Sequence, residues 1–313
     1  MSNIAIVFPG QASQYVGMGR DLYDAEPAVR RLYELASDEI GEDIARLSFD
    51  GPADSLKQTR FTQPAILLHS LAVFTLMKDD MPEVALTAGH SLGEFGALAL
   101  AGVLSIEDAV RAVVRRAALM QAACEAREGT MAAIMGLDEK TIEDVCREAS
   151  AVGVVVPANF NSSIQTVISG TVAGVEDACR RCKERGAKRA VLLQVGGAFH
   201  SPLMEPAAIG LRKFLDSLEF LSPTVEIVPN VTAVGEKNPQ RIKELLVAQI
   251  TSPVKWQQTM EYFNSTGIDI MVEAGPGKVL TGLAKRAMTG TRLINIDSRE
   301  DVEQYTPAGI EES

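Results

Sequence analysis

The sequence predicts an α/β protein with a mainly parallel sheet, and three observations carry that reading. Short apolar, β-branched runs alternate with longer stretches of helical periodicity along most of the 313 residues. One strand-like run passes directly into Gly89-His90-Ser91-Leu92-Gly93 and then into a helical pattern. The middle of the chain departs from simple alternation and reads β-α-β-β-α-β.

Taken in order, residues 4–8 (IAIVF) form a buried strand that ends at the turn Pro9-Gly10. Helices are expected over 19–36 and 63–77, a strand over 83–88, and helices over 92–100 and 106–124. Residues 130–136 then form a strand, and 138–150 a helix with Asp138 as its N-cap. Strands follow at 153–158 and 165–169, a helix at 172–185 and a strand at 189–195, which completes a ferredoxin-like unit. Beyond Gly196-Gly197 the alternation resumes. Helices are expected at 202–218, 239–250, 256–263 and 277–288, with strands at 225–228, 269–273 and 291–296. The domain organisation predicted is therefore a discontinuous large domain (1–126 and 198–313) carrying an inserted small domain (127–197). The polar tail after Asp301 is expected to be mobile.

Composition narrows the function classes. Apolar residues make up 46% and charged residues 23%, which is globular and not disordered. The formal net charge of −11 disfavours general nucleic-acid binding. No apolar run reaches the ~20 residues of a membrane span. The opening MSNIAIVFPGQ has neither a basic n-region nor a cleavage site, so no secretory signal is expected. Four cysteines are too few for a disulfide scaffold, and the expectation is a soluble, cytoplasmic protein.

The Gly-x-Ser-x-Gly at 89–93 sits between a predicted strand and a predicted helix, the context of a nucleophile elbow. A sharp turn there forces strained torsions and close chain approach, which explains the flanking glycines. It lifts the Ser91 hydroxyl to a helix N-terminus, where free N–H groups favour developing negative charge. The backbone N–H of Leu92 is the natural oxyanion donor. With this elbow, the large domain is expected to be α/β-hydrolase-like. The alternative is a glycine-rich turn with an ordinary N-cap serine.

Serine chemistry needs a base, and the chain has three histidines. His69 falls in an apolar helical run and reads as a core residue. His90 adjoins Ser91 but its side chain should point away. His200 lies in a loop before a helix, where a cleft could expose it, and is the base by elimination. No acid between Ser91 and His200 stands in a distinctive motif, so a backbone carbonyl is the alternative orienting group, giving a Ser–His dyad.

Several further motifs resemble one family. FPGQASQYVGMG (8–19), FTQPA (61–65), GHSLGEF (89–95), RRAALMQ (115–121), GTMAAI (129–134), NFNS (159–162), GAFHSPLM (197–204), QITSPVKW (249–256) and EAGPGKVL (273–280) follow the order found in malonyl-CoA:acyl carrier protein transacylases, relatives of polyketide-synthase acyltransferase domains. The resemblance covers residues 8 to about 297. It implies Ser91 as the acylated nucleophile, His200 as base and acid, and backbone N–H groups of Gln11 and Leu92 as the oxyanion hole. It implies Arg116 as the partner of the malonyl carboxylate and the main-chain carbonyl of Gln249 as the group orienting the histidine. Phe199 and Leu92 resemble the malonyl-selective pattern, with Phe199 crowding a 2-methyl branch. The implied substrates are malonyl-CoA and an acidic, phosphopantetheine-bearing acyl carrier protein, in fatty-acid synthesis. No cofactor, metal, nucleic acid or membrane is expected, and a monomer is. Where relatives read N-S-P-G-Q, this chain has Asn161-Ser162-Ser163-Ile164-Gln165.

The physical case for Arg116 is that a guanidinium fork matches a carboxylate bidentately and keeps its charge in a partly dry pocket. Arg115 projects about 100° away on the same helix and is expected to be solvated. Cys179-Arg180-Arg181-Cys182 lies mid-helix with no second pair, which disfavours a metal site. The basic cluster Arg180, Arg181, Lys183, Arg185, Lys188 and Arg189 is a candidate contact for an acidic carrier. A thioesterase-like hydrolase shares Ser91 and His200 but has no use for Arg116. Two further rivals are a non-catalytic binding protein on this fold and an acyltransferase of a secondary pathway.

Overall fold

The computed structural model describes residues 3–305 except Asp80 and Pro82. Among the described residues, nine strands form two sheets: β1 (Ile4–Phe8), β2 (Val84–Gly89), β3 (Thr130–Met135), β4 (Val155–Ser162), β5 (Gln165–Gly170), β6 (Arg189–Leu192), β7 (Glu226–Ile227), β8 (Ile270–Ala274) and β9 (Arg292–Ile296). The first sheet has the order β7-β2-β1-β8-β9, and every pairing in it is parallel. Its central strand, β1, is buried along its whole length, as a strand covered on both faces must be. The chain runs from β1 to β2 on one side and later to β8 on the other. The loops after β1 and β2 therefore open at a switch point, where α/β sheets place their sites.

The second sheet is antiparallel in the order β4-β5-β3-β6, with the helices Glu139–Ala149 and Val172–Glu184 packed on it. This is the strand order of a ferredoxin-like unit, so the α/β class with an antiparallel insertion stands as predicted. Asp138 caps its helix by accepting from Thr141 N. Strand β4 also reaches the first sheet's side: Phe160 N donates to Val254 O and Val254 N to Ala158 O. The cleft between the two sheets is thus fixed by backbone bonds.

Several predicted elements change on folding. The helix expected over 19–36 is two, Arg20–Ala25 and Pro27–Ile40. Glu26, held out of the helical region by the following proline (φ −127°, ψ 118°), caps the second by accepting from Ala28 N. Helices Ile44–Asp50 and Ala53–Leu56 occupy a stretch with no predicted element. The helix expected from residue 63 starts at Thr59 and carries Pro64 inside it, since burial of its apolar residues outweighs the one backbone bond a proline removes. The tail expected to be mobile begins with the helix Arg299–Gln304, closed by a Ser298/Asp301 capping box; residues 306–313 lie outside the described residues.

Cys179 and Cys182 face the core of the second sheet beside Cys146 as free thiols. In the basic cluster, Arg180 pairs with Asp177 and Glu184, while Arg181 and Arg185 pair with Glu148. Half of that cluster is therefore offset by neighbouring acids, which weakens its case as a surface for an acidic carrier. Among the described residues, no helix is long and apolar enough to cross a membrane.

Candidate active site

The elbow is built by close approach of backbone to backbone. A Cβ on Gly89 would lie 1.9 Å from the carbonyl carbon of Gly93, and one on Gly93 would lie 2.2 Å from Phe8 O. Only glycine permits this contact between β1, β2 and the following turn. Ser91 takes a left-handed conformation, φ 53°, and starts a 3-10 turn, Ser91–Gly93, that leads into the helix Glu94–Leu100.

Ser91 Oγ lies 2.8 Å from His200 Nε2, and His200 Nδ1 lies 2.8 Å from the main-chain oxygen of Gln249. A carbonyl can only accept, so Nδ1 carries the proton and Nε2 is free to take one from Ser91. The sequence expected an exposed loop histidine; His200 is instead only 3% exposed. Burial, reinforced by the Arg116 charge, pushes its pKa down to about 3. The imidazole is therefore neutral, as a base must be, over the ordinary pH range.

Arg116 is 1% exposed on the helix Ile106–Ala126. Its Nη2 donates to Ser91 Oγ at 2.9 Å and to Gln249 Oε1 at 3.0 Å, and its Nη1 donates to Gln63 Oε1 at 2.5 Å. None of these partners carries charge. Burial lowers its pKa to about 10, with Glu94 opposing the shift. Arg115 is exposed, as expected, and lines a separate outer groove with Arg111 and Lys213.

A cleft of about 260 Å³ lies in front of this group and reaches Gln11, Leu92, Phe199 and Arg116. Gly10 sits so close to the elbow that a Cβ on it would lie 2.6 Å from His90 O, which sets Gln11 beside Ser91. The N–H of Ser91 itself donates to Asn230 Oδ1 at 2.7 Å. That leaves the N–H of Leu92, one residue further into the turn, as the natural donor toward the cleft. Phe199 is buried and forms part of the wall next to His200. His90 points away from Ser91: its Nε2 meets Asn161 Oδ1 at 3.0 Å, and its ring packs on Trp256. The altered 161–165 segment makes the β4–β5 hairpin turn, with Ser162 and Gln165 paired, and both Asn161 and Gln165 still border the cleft.

Sequence reasoning missed Gln63, Glu94 and Asn230. The first two lie inside the motifs FTQPA and GHSLGEF, but nothing local says that their side chains turn inward. Asn230 follows a two-residue strand and had no signal at all. Among the described residues, no group of three or more His, Cys, Asp or Glu is arranged to hold a metal ion.

Comparison with known proteins gives a consistent picture. Residues 5–310 match the acyl transferase domain family. The malonyl CoA-acyl carrier protein transacylase of Bacillus subtilis is 42% identical over 304 residues, covering 97% of this chain and 96% of the relative. The crystal structure of the acyl-carrier-protein-S-malonyltransferase of Bartonella henselae superposes with a TM-score of 0.92 at 40% identity, covering 96% and 97% of the two chains. A malonyl-transacylase solved in complex with its type II PKS acyl-carrier protein superposes with a TM-score of 0.91, also at 40% identity, covering 97% and 98%.

Proposed function

The chain belongs to the acyl transferase family, and from that premise we propose that it moves malonyl from malonyl-CoA to the phosphopantetheine thiol of an acyl carrier protein through a malonyl-Ser91 ester. The enzyme is an acyltransferase, and its relatives act on malonyl-CoA and acyl carrier protein. The product supplies fatty-acid synthesis.

The observation that carries the assignment of the site is the buried Arg116 guanidinium, 2.9 Å from the Ser91 hydroxyl. A hydrolase acting on neutral acyl groups has no need of a desolvated cation beside its nucleophile. A carboxylate two carbons beyond the ester carbonyl does need one, because a bare carboxylate in a dry cleft is costly unless paired.

In the first half-reaction Ser91 Oγ attacks the thioester carbonyl as its proton passes to His200 Nε2. The oxyanion faces the N–H groups of Leu92 and Gln11, the C–S bond breaks, and the CoA sulfur takes the proton from His200. In the second, the carrier thiol gives its proton to His200 and attacks the ester, and Ser91 recovers its proton as it leaves. Gln249 O holds the imidazole in the tautomer that both halves require. Phe199 beside His200 disfavours a 2-methyl branch and so favours malonyl over methylmalonyl.

The test is mass spectrometry of the protein mixed with malonyl-CoA in the absence of any carrier. A stable malonyl adduct on Ser91, absent in Ser91→Ala, is expected. Rapid release of free malonate instead would make the protein a hydrolase, and an adduct at another residue would displace Ser91.

A further inference from the structure

We propose that Glu94 is a positioning residue for the transfer reaction: its carboxylate joins Asn230 to Gln249, and through those two residues it holds Ser91, His200 and Arg116 in one frame. The inference rests on the reading of Ser91 and His200 as nucleophile and base.

Glu94 opens the helix Glu94–Leu100 directly after the elbow, and it is 4% exposed. One carboxylate oxygen, Oε1, accepts from Asn230 N at 3.3 Å; the other, Oε2, accepts from Gln249 Nε2. Asn230 clasps the elbow from both ends. Its Nδ2 donates to Gly89 O at 2.6 Å, and its Oδ1 accepts from Ser91 N at 2.7 Å. Gln249 touches everything else. Its Nε2 donates to Ser91 O at 2.9 Å, its Oε1 accepts from Arg116 Nη2, and its main-chain oxygen receives His200 Nδ1. Glu94 reaches none of the reacting atoms, yet one oxygen holds the Asn230 backbone in place and the other decides which way the Gln249 amide faces.

The chemistry of the donor set makes the carboxylate hard to replace. Both oxygens accept, so an amide at position 94 sets an NH2 group against either the Asn230 N–H or the Gln249 NH2. If the Gln249 amide turns to escape, its donor leaves Ser91 O and its acceptor leaves Arg116. Burial meanwhile pushes the Glu94 carboxyl up to about 8, against the opposing pull of Gln249, Asn230 and the Arg116 charge. The other titratable groups facing this network are His200, pushed down to about 3, His90, lowered by burial, and Arg116, lowered to about 10. None of these three gives a step near Glu94's own.

The experiment follows Ser91 labelling by a fluorophosphonate across pH, in wild type, Glu94→Gln and Glu94→Asp. The probe needs the nucleophile and its base but no malonyl group. The frame predicts that wild-type labelling falls on acidification through the Glu94 titration, and that Glu94→Gln labels at least about tenfold more slowly, with that step gone. Glu94→Asp keeps the step and labels more slowly than wild type, because its carboxylate is one methylene short of Gln249. In the transfer assay, Glu94→Gln should lower kcat more than it raises KM. If Glu94 merely balanced the Arg116 charge, Glu94→Gln would label at the wild-type rate; that result, or an unchanged acid step, overturns the proposal. Should Glu94→Gln yield no folded protein, Glu94→Asp decides: wild-type labelling overturns, and slowed labelling with the step retained supports. Wild type that labels at Ser91 but takes up no malonyl refutes the transferase reading and leaves this one standing.

Discussion

Ser91 and His200 meet at 2.8 Å while both hold left-handed backbone, φ 53° and 55°. A non-glycine residue in that region costs on the order of 1–2 kcal/mol, and here two of them face each other. Each is over-determined by its surroundings. Asn230 fixes the N–H of Ser91 and Gln249 O fixes the ring of His200, so the dyad is assembled before substrate arrives. Pre-organisation of this kind is what lowers a barrier, because no reorientation is required at the moment of reaction.

Removing His200, the proposed base, should be costly to the rate and beneficial to acid stability. His200→Ala is expected to slow acylation by ~10²–10⁴-fold, read by rapid-quench kinetics; a mild effect, with His90→Ala crippling instead, would mean the wrong histidine. The folded-state pKa of His200 is depressed to about 3, so below the unfolded value of about 6.5 the unfolded chain binds a proton that the native one refuses. Stability is therefore lost as pH falls from about 6.5 toward 3, by at most ~1.4 kcal/mol per unit from this group. Denaturant melts of wild type and His200→Ala should converge on acidification.

Arg116→Ala should change substrate choice. A hydrogen bond to a charged partner contributes about 1.5–3 kcal/mol, and an unpaired malonyl carboxylate adds to the loss. At about tenfold per 1.36 kcal/mol, malonyl transfer should fall on the order of 10²-fold. Acetyl-CoA, which has no carboxylate, should lose less, so that the ratio of the two kcat/KM values moves toward acetyl. Arg115→Ala, on the outer groove, should leave the ratio of the two substrates unchanged. Equal slowing of both substrates by Arg116→Ala would show that the arginine supports structure or CoA binding.

Gly93→Ala tests the elbow itself. Its Cβ would lie 2.2 Å from Phe8 O, and backbone on both sides leaves nothing to move cheaply. We expect a loss of about 1–3 kcal/mol or more, measured by urea melts, together with loss of serine labelling. An alanine variant with native stability and full labelling would contradict the close approach of β1 to the turn.

Asp297 ties the segment after β1 to the turn after β8. It accepts from Tyr15 Oη at 2.9 Å and Gly277 N at 3.0 Å, and it faces the buried His69 Nε2 at 3.1 Å. Burial works against its charge, but these partners hold its pKa below the ordinary carboxylate value. Its contribution is present above the unfolded pKa of about 3.9 and disappears as pH falls through the lower folded value. Asp297→Asn should thus cost about 1–3 kcal/mol near pH 7, shrinking toward zero below about pH 4. A cost that does not shrink on acidification would show that the charge is irrelevant.

Local chemistry made much of this legible in one dimension. Strand and helix periods, the turn glycines at 89 and 93, the Asp138 cap and the β-α-β-β-α-β order are each decided within a few residues, so the α/β class with its antiparallel insertion could be read directly. The same holds for Ser91, since an elbow needs a strand, two glycines and a helix in immediate succession. Proline placement misled in both directions: at Pro64, inside a buried helix, packing outweighs propensity, while at Pro27 the proline splits a helix expected to be continuous. What periodicity could not supply was the meeting of distant segments. Ser91, Arg116, His200, Asn230 and Gln249 come from five separate parts of the chain. Which side chains face one another there depends on how the elbow, the helix Ile106–Ala126 and the two loops before and after helix Pro239–Ala248 converge beneath the cleft. The depth of His200, the tautomer set by Gln249 O and the carboxylate of Glu94 behind both are consequences of that convergence, because burial and hydrogen-bond partnership are properties of three-dimensional neighbours and leave no mark on local sequence.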